Sequence, residues 1–232
     1  MLRTLAAVLF AVTAATGAAH AAGSTLKGTV VLKGKAPERK DVNMKSDPYC
    51  AKQPAAQEEE VVVGKGGELK NVVVRIAKGL TGTFPTPTEE VVMDQHGCAY
   101  KPHVAVAQAG QTVTVKNSDQ TLHNVHTFKG PSTLFNQAQI FGTPPIKKKA
   151  PSAGDVVKFK CDVHPWMTGY LLVTDSPFFA ITAEDGGFSI PNLPPGEYTV
   201  EAWHEKFGTR QAKVTVAAGK PAELKIELPA PK

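Results

Sequence analysis

Three residues with metal-binding side chains lie within seven positions of each other in the segment CDVHPWM, and they are Cys161, His164 and Met167. Sulfur ligands favour Cu(I), and imidazole binds copper in both oxidation states, so this set suits copper. A mononuclear electron-transfer copper site combines two histidines, one cysteine and a weak axial methionine. The second histidine must come from elsewhere in the chain, and the segment LHNVHTF offers His123 and His126.

The segment LHNVHTF is typical of a β-strand. Side chains alternate between the two faces of a strand, so His123 and His126 point to roughly opposite faces. Only one of the two can therefore face a metal that is also bound by the CDVHPWM segment.

The first residues of the chain predict a targeting segment. The sequence begins MLR, continues with an apolar run over 4–19 and then has small residues around Ala21. This pattern is typical of a cleaved secretory signal over 1–21, which places the mature protein in the periplasm or outside the cell. The run is too short to span a membrane stably and none comparable follows, so we expect no transmembrane segment in the mature chain.

The three cysteines of the chain leave one unpaired in an oxidising compartment. Cys50 and Cys98 lie outside any metal-ligand spacing, so we predict that they form a disulfide and leave Cys161 for a metal. Two alternatives stay open. Cys161 could be an inert buried thiol, or Cys98 could bind a second metal together with His96 and His103.

Charge and composition exclude some partners. The formal net charge is only +5, and the one notable basic run, 147–149, follows two prolines and is predicted to lie in a loop. No nucleic-acid-binding module is visible, so we expect no nucleic-acid partner.

The secondary-structure signal is almost entirely β. Short β-branched runs, several of which alternate apolar with polar residues, are separated by Gly, Pro, Asn and Asp. They occupy 28–32, 70–76, 103–107, 112–116, 155–161, 169–173, 197–203 and 212–216. The stretches 41–60 and 129–151 are predicted to be irregular. An all-β sandwich or barrel follows.

Residues 88–175 resemble a cupredoxin of the amicyanin-like group, because the HNVH strand and the short CxxHxxM loop occur in the same order and separation. The resemblance implies a Greek-key β-sandwich with one type 1 copper ion. It implies that His123, Cys161 and His164 are equatorial ligands and that Met167 is the axial ligand, which leaves His126 outside the set.

The resemblance also implies roles for neighbouring residues. Asn124 would tie the upstream strand to the cysteine loop, and Asp162 and Val163 stand where the group has a hydroxyl residue and a proline. Because Val163 has an N–H group that proline lacks, we predict that it donates to the Cys161 sulfur and raises the reduction potential.

The loop histidine's edge reaches the surface in this family. Pro165 and Trp166 would then form an apolar docking patch around it.

The segment 183–228 resembles the second half of a carboxypeptidase regulatory-like, or transthyretin-like, β-sandwich, through its DGGF turn and the run PNLPPGEYTV. The segments STLKGTVVLKGKAP and GGELKNVVVRIAKG look like the opening strands of the same sandwich. The cupredoxin is then either joined to this smaller sandwich or inserted in it. The predicted division is 1–21 signal peptide, 22–87 N-terminal strands and linker, 88–175 cupredoxin, and 176–232 the rest of the sandwich.

These observations lead to one function and two alternatives. The first is a monomeric, non-enzymatic carrier of single electrons between redox proteins such as a c-type cytochrome and a periplasmic dehydrogenase. The second is a copper storage or delivery protein. The third is a binding or adhesion module with a structural copper. A copper enzyme would need a second copper and further histidines, which the sequence does not supply.

Two further histidines are expected at the surface. They are His103 and His204, which lies in the predicted turn AWHEKFG.

Overall fold

The computed structural model describes residues 23–230, so the predicted signal peptide lies outside the described residues. Sixteen β-strands and one 3-10 turn, Cys50–Lys52, form this part of the chain, and the predicted all-β class is confirmed. The strands are β1 Ser24–Lys33, β2 Val73–Lys78, β3 Val91–Gln95, β4 Tyr100–Lys101, β5 Val104–Gln108, β6 Thr112–Asn117, β7 His123–Lys129, β8 Ser132–Gln139, β9 Ile146–Lys149, β10 Val156–Lys160, β11 Thr168–Thr174, β12 Phe179–Ile181, β13 Gly187–Leu193, β14 Gly196–His204, β15 Gly208–Val216 and β16 Ala222–Pro229. No helix within residues 23–230 has the length and hydrophobicity that crossing a membrane requires.

The strands form four sheets, which pair into two sandwiches. One sandwich consists of the five-stranded sheet β5-β11-β10-β7-β8 and the four-stranded sheet β4-β3-β6-β9. The other consists of the three-stranded sheet β13-β1-β16 and the four-stranded sheet β12-β2-β14-β15. The first two strands of the chain therefore pair with the last five, and β3 to β11 form the other sandwich between them. We propose on this topology that the larger sandwich is an insertion in the smaller one.

Alternating burial gives each sandwich its own core, because successive side chains of a strand face opposite sides of the sheet. In β1 the buried positions include Leu26 and Val30, which pack in the core of the smaller sandwich. In β10 the buried positions are Val157 and Phe159, which pack in the core of the larger one. A third cluster, around Val73 of β2 and residues of β5 and β11, packs the two sandwiches against each other.

The segment 41–60, which we call the cap, is irregular as predicted apart from the 3-10 turn Cys50–Lys52. It connects two strands of the smaller sandwich, yet Met44 and Cys50 belong to the core of the larger one. The cap thus crosses from one sandwich to the other and covers one end of the larger sandwich. The sequence predicts a linker here because the segment has no apolar periodicity.

The stretch 129–151 is more regular than predicted. It contains β8 and β9, and the lysines 147–149 lie on β9, which pairs with β6, rather than in a loop. The pattern is hard to recognise because most side chains of β8 and β9 are exposed, so neither strand carries the apolar alternation on which the prediction depends.

Candidate metal centre

The four predicted ligands lie at one end of the larger sandwich. His123 begins β7, Cys161 follows the last residue of β10, and His164 and Met167 lie in the loop between β10 and β11. Strands β7 and β10 are antiparallel neighbours, with Lys160 opposite His126, so the start of β7 and the end of β10 meet at the same edge.

The loop between β10 and β11 is closed by two backbone hydrogen bonds. The Cys161 N–H donates to the Met167 carbonyl over 3.3 Å, and the Met167 N–H donates to the His164 carbonyl over 2.9 Å. These bonds fold seven residues into a compact turn and point three ligand-type side chains inward. The Met167 side chain is buried in the same core as Cys161.

Three of the ligand atoms surround one point. The Nδ1 atoms of His123 and His164 are 2.8 Å apart, and the Cys161 Sγ lies 3.9 Å from the first and 3.7 Å from the second. In metalloproteins a metal such as zinc lies about 2.0 Å from an imidazole nitrogen and about 2.3 Å from a thiolate sulfur, so one ion can reach all three atoms. The three residues are buried, which keeps water from competing for the ion.

The outer edges of both imidazoles explain why this arrangement fits a cation. The Nε2 of His123 lies 3.0 Å from Asp119 Oδ2, and the Nε2 of His164 lies 3.2 Å from Asp47 Oδ2. An ionised carboxylate only accepts hydrogen bonds, so both Nε2 atoms carry a hydrogen, and in a neutral ring the Nδ1 atom then presents a lone pair. The two Nδ1 atoms, 2.8 Å apart, can share a proton between them or bind one metal ion together, and the donor set suits copper.

The two carboxylates are acidic groups in buried surroundings. Burial alone would raise the pKa of Asp119, but hydrogen bonds from His123 and from the N–H groups of Cys98 and Gly97 hold its pKa below the usual value. Burial likewise opposes ionisation of Asp47, and hydrogen bonds, the strongest from the Cys50 N–H, lower its pKa. Both side chains are therefore anionic at neutral pH.

The pKa values of the two histidines move in opposite directions. Burial lowers the pKa of His123, but its contacts with Asp119 and Cys161 outweigh burial and raise it. Burial lowers the pKa of His164 and outweighs the contact with Asp47. His164 is thus neutral at neutral pH, which is the form that binds a metal.

Asn124 lies between the two segments that carry ligands. Its side-chain oxygen accepts the Asp162 N–H at 2.6 Å, and its N–H group donates to the Cys161 Sγ at 3.4 Å. Its amide nitrogen donates to Asp162 Oδ2 at 3.0 Å. Asp162 also contacts His126 at 3.0 Å, which accounts for the outward direction of His126.

The predicted hydrogen bond from Val163 to the Cys161 sulfur is not found. Within the described residues, the N–H group that donates to the sulfur belongs to Asn124. Val163 lies at the outside of the turn with half of its surface exposed, so it faces away from the sulfur.

The loop histidine does not reach the surface, so that expectation is wrong. His164 is only 3% exposed because the cap lies over its outer edge, with Asp47 bonded to Nε2 and the Cys50 Sγ 3.8 Å from the same atom. The tryptophan of the loop, Trp166, is half-buried and donates its indole N–H to the Cys98 carbonyl at 3.0 Å. Pro165 is exposed.

The predicted Cys50–Cys98 disulfide is present, with an S–S distance of 2.02 Å. It leaves Cys161 as the free cysteine of the described residues. The alternative site of His96, Cys98 and His103 is therefore wrong, because Cys98 is in the disulfide and His103 pairs with Glu205.

Two histidines expected at the surface are buried. His103 lies where the two sandwiches meet, paired with the equally buried Glu205. His204 is the last residue of β14, is 1% exposed and stacks on Phe207 with ring centroids 4.7 Å apart. Both were misjudged because the packing of one sandwich against the other does not appear in a local pattern.

Asp47 and Asp119 are the site residues that sequence reasoning missed. Asp119 carries a signal, because it lies four residues before His123. Asp47 carries only the indirect signal that it is three residues from a cysteine predicted to be in a disulfide. Nothing in the sequence connects that disulfide with His164.

Comparison with known proteins finds one matching family model and several similar solved structures. Residues 171–229 match the family model of the carboxypeptidase regulatory-like domain, in agreement with the resemblance found in the sequence. The match begins inside β11, which pairs with β5 and β10 of the larger sandwich, so its first residues lie outside the sheets of the smaller one. No curated protein matches the chain.

The solved structures similar to the chain include cupredoxins, as the resemblance implied. A purple cupredoxin from Nitrosopumilus maritimus is 24% identical, with 37% of this chain and 98% of that chain covered and a TM-score of 0.32. Amicyanin from Paracoccus versutus is 22% identical, with 43% and 96% covered and a TM-score of 0.33. A copper-containing nitrite reductase from Thermus scotoductus is 21% identical, with 44% and 25% covered and a TM-score of 0.33. Because these TM-scores are below 0.5, the case for a copper centre rests on the side chains described above.

Proposed function

We propose that this protein is an extracytoplasmic electron carrier with a single type 1 copper that His123, Cys161, His164 and Met167 would hold. The observation that carries the proposal is the pair of imidazole Nδ1 atoms 2.8 Å apart beside the Cys161 sulfur, with both Nε2 atoms bonded to carboxylates. Bound copper would supply one-electron exchange between Cu(II) and Cu(I). The protein would supply a site that keeps its shape in both oxidation states.

Several contacts support a site of fixed shape. Both histidines are held from behind by a carboxylate, and the sulfur accepts a hydrogen bond from the Asn124 N–H. Ligands held in this way move little when the metal charge changes, and small movement favours fast electron transfer. The burial of Cys161 and His164 excludes water from the site.

A carrier explains this site better than storage or delivery does. A storage or delivery site must release its metal, whereas here the cap covers the outer edge of His164 and is tied down by the Cys50–Cys98 disulfide. All groups of three or more metal-binding side chains within residues 23–230 share His123 or His164, so they describe one centre. One centre suits a carrier rather than a copper enzyme with two.

Addition of Cu(II) to the purified protein, followed by visible absorption and electron paramagnetic resonance, tests the proposal. We expect an intense thiolate-to-copper charge-transfer band that disappears in Cys161→Ser. A colourless protein that gives up copper readily to a chelator would support storage or delivery instead.

The electron must leave by a route other than the covered His164 edge. Val163, between two ligands, is 50% exposed, and Leu122, next to His123, is 44% exposed. We propose that a redox protein such as a c-type cytochrome or a periplasmic dehydrogenase contacts this end of the sandwich at Val163 and Leu122, with Pro165 at its margin. Trp166 contributes less, because its indole is turned towards Cys98.

A Val163→Lys variant tests this contact surface. The side chain is exposed and turned away from the sulfur, so the copper spectrum should stay as in the wild type. The second-order rate of electron exchange with a c-type cytochrome should fall about tenfold, because a charge placed in an apolar contact must be desolvated. Val92→Lys, at an exposed valine of β3, is the matched control and should leave the rate unchanged. An unchanged rate in Val163→Lys would place the contact elsewhere.

A further inference from the structure

We propose that Asp47 and Asp119 are positioning residues that fix the two metal-site histidines in one tautomer, and that the Cys50–Cys98 disulfide joins them into one support. This inference rests on the proposed copper site and deepens it. It gives a role to the cap, which lies between β1 and β2 of the smaller sandwich. Neither of the two family resemblances accounts for this segment.

Asp119 is the support of His123. The carboxylate is completely buried, and its Oδ2 accepts from His123 Nε2 at 3.0 Å and from the Cys98 N–H at 2.7 Å. Its Oδ1 accepts from the Gly97 N–H at 2.7 Å and from the Tyr49 hydroxyl at 3.3 Å. A carboxylate with this many donors has one possible orientation, so it defines the position of the imidazole behind it.

Asp47 has the same relation to His164. Its Oδ1 accepts from the N–H groups of Tyr49 and Cys50, both at 2.8 Å. Its Oδ2 accepts from the Thr121 hydroxyl at 3.0 Å and faces His164 Nε2 at 3.2 Å. Each histidine thus has a carboxylate on its outer nitrogen, and each carboxylate is bound by the backbone of one cysteine of the disulfide.

The disulfide connects these two arrangements. Cys50 donates its N–H to Asp47, Cys98 donates its N–H to Asp119, and the S–S bond joins the two residues. Tyr49 forms a second connection, because its N–H binds Asp47 and its hydroxyl binds Asp119. A shift of one carboxylate would therefore disturb the other, so the two histidines are positioned together.

Tautomer control follows from hydrogen-bond chemistry. A carboxylate cannot donate, so in the neutral form of each ring the hydrogen must be on Nε2 and the lone pair on Nδ1, where the metal would bind. Hydrogen bonds of this kind on the outer nitrogen of a ligand histidine typically change metal affinity about 10–100-fold when removed.

Asp47→Asn is the decisive variant because its amide has one possible orientation. Two backbone N–H groups require an acceptor at the position of Oδ1, so the amide oxygen must remain there. The amide nitrogen then faces His164 Nε2 and donates to it. His164 would have to move its hydrogen to Nδ1, where it blocks the metal.

The experiment uses the full chain with the disulfide intact and has two measurements. In the metal-free protein at mildly alkaline pH, long-range nitrogen-15 NMR of the imidazoles should show hydrogen on Nε2 of both His123 and His164. In Asp47→Asn the hydrogen of His164 should be on Nδ1, and Cu(II) affinity measured by competition with a chelator should fall about 10–100-fold. Asp41→Asn, which changes an exposed carboxylate of the cap that accepts from the Gln57 amide, is the control and should behave as the wild type.

The outcomes separate the two proposals. A wild type in which either histidine carries its hydrogen on Nδ1 instead of Nε2, or unchanged tautomer and affinity in Asp47→Asn, would overturn the positioning role while leaving the copper site intact. A wild type that has both Nε2 hydrogens but binds no Cu(II) would support the positioning role and overturn the proposed function. The wild-type NMR result decides the matter even if the variant does not fold.

Discussion

Asn124 illustrates how much of the centre depends on single residues. One side chain and its N–H group bond the Cys161 sulfur and both the backbone and the carboxylate of Asp162. The sequence predicts this residue through its position after His123. The sequence does not predict that Asp162 is also held by His126 and Asn136, because these contacts join three separate strands and loops.

His204 provides a prediction at the same scale. Burial and the nearby charge of His103 lower the pKa of His204 to about 4, below its usual value of 6.5. When the pH is above both pKa values, the imidazole is neutral in the folded and in the unfolded state. As the pH falls from about 6.5 to about 4, the unfolded chain takes up a proton that the folded protein does not, so stability is lost, by at most about 3 kcal/mol.

His204→Phe should remove this part of the pH dependence. Urea unfolding of the metal-free protein gives its free energy of unfolding at the upper and lower ends of this pH range. The difference between the two free energies should be smaller for the variant than for the wild type. Ile140→Gln changes an exposed side chain that does not titrate and serves as the control. Equal pH dependence in His204→Phe and the wild type would contradict the assignment.

Among the elements, the cap has the largest effect on the site. It contains only a short 3-10 turn, yet it supplies Asp47 and Cys50 and covers His164. The strands of the ligand loop were predictable from alternation and from their apolar residues. The cap was not, because its contacts depend on a disulfide partner 48 residues away and on a surface formed by other strands.

Loss of the disulfide should therefore affect both stability and the cap. Closure of a 48-residue separation by a disulfide is worth about 4 kcal/mol in the chain-entropy model, so the double variant Cys50→Ser, Cys98→Ser should lose about 3–4 kcal/mol in urea unfolding. Hydrogen exchange should accelerate most in 41–60. Cys161→Ser, which removes a cysteine but no crosslink, is the control. A loss below about 1 kcal/mol with unchanged exchange in the cap would show that packing alone holds it.

At the scale of the whole molecule, the two sandwiches have separate cores and meet at a small apolar surface. Val73 of β2 and Leu172 of β11 lie in this surface, and the rings of Tyr170 and Trp203 approach to 5.7 Å. The sequence predicts both sandwiches through their motifs. The buried pair of His103 and Glu205 could not be predicted, since it forms only when the sandwiches come together.

Excision of the larger sandwich tests whether the smaller one folds alone. Strands β2 and β12 are antiparallel, with Arg75 opposite Phe179, so replacement of 79–175 by Asn-Gly should join them as a hairpin. In a Cys50→Ser background we expect a β-type circular dichroism spectrum and a cooperative thermal transition. The transition temperature should be lower than that of the full chain, because the apolar surface that packs on the larger sandwich becomes exposed. A chain without a cooperative transition would show that the sandwich depends on its insertion.

The position of β1 has a consequence for the order of events during synthesis. This early strand lies between β13 and β16, so its edges stay without partners until nearly the whole chain has been made. All strands of the larger sandwich are complete before that point. Because pairing between distant strands is slow, the ligand loop should take its shape while the smaller sandwich is still open. The cap packs on the larger sandwich, so it can close over the centre without waiting for β13 and β16.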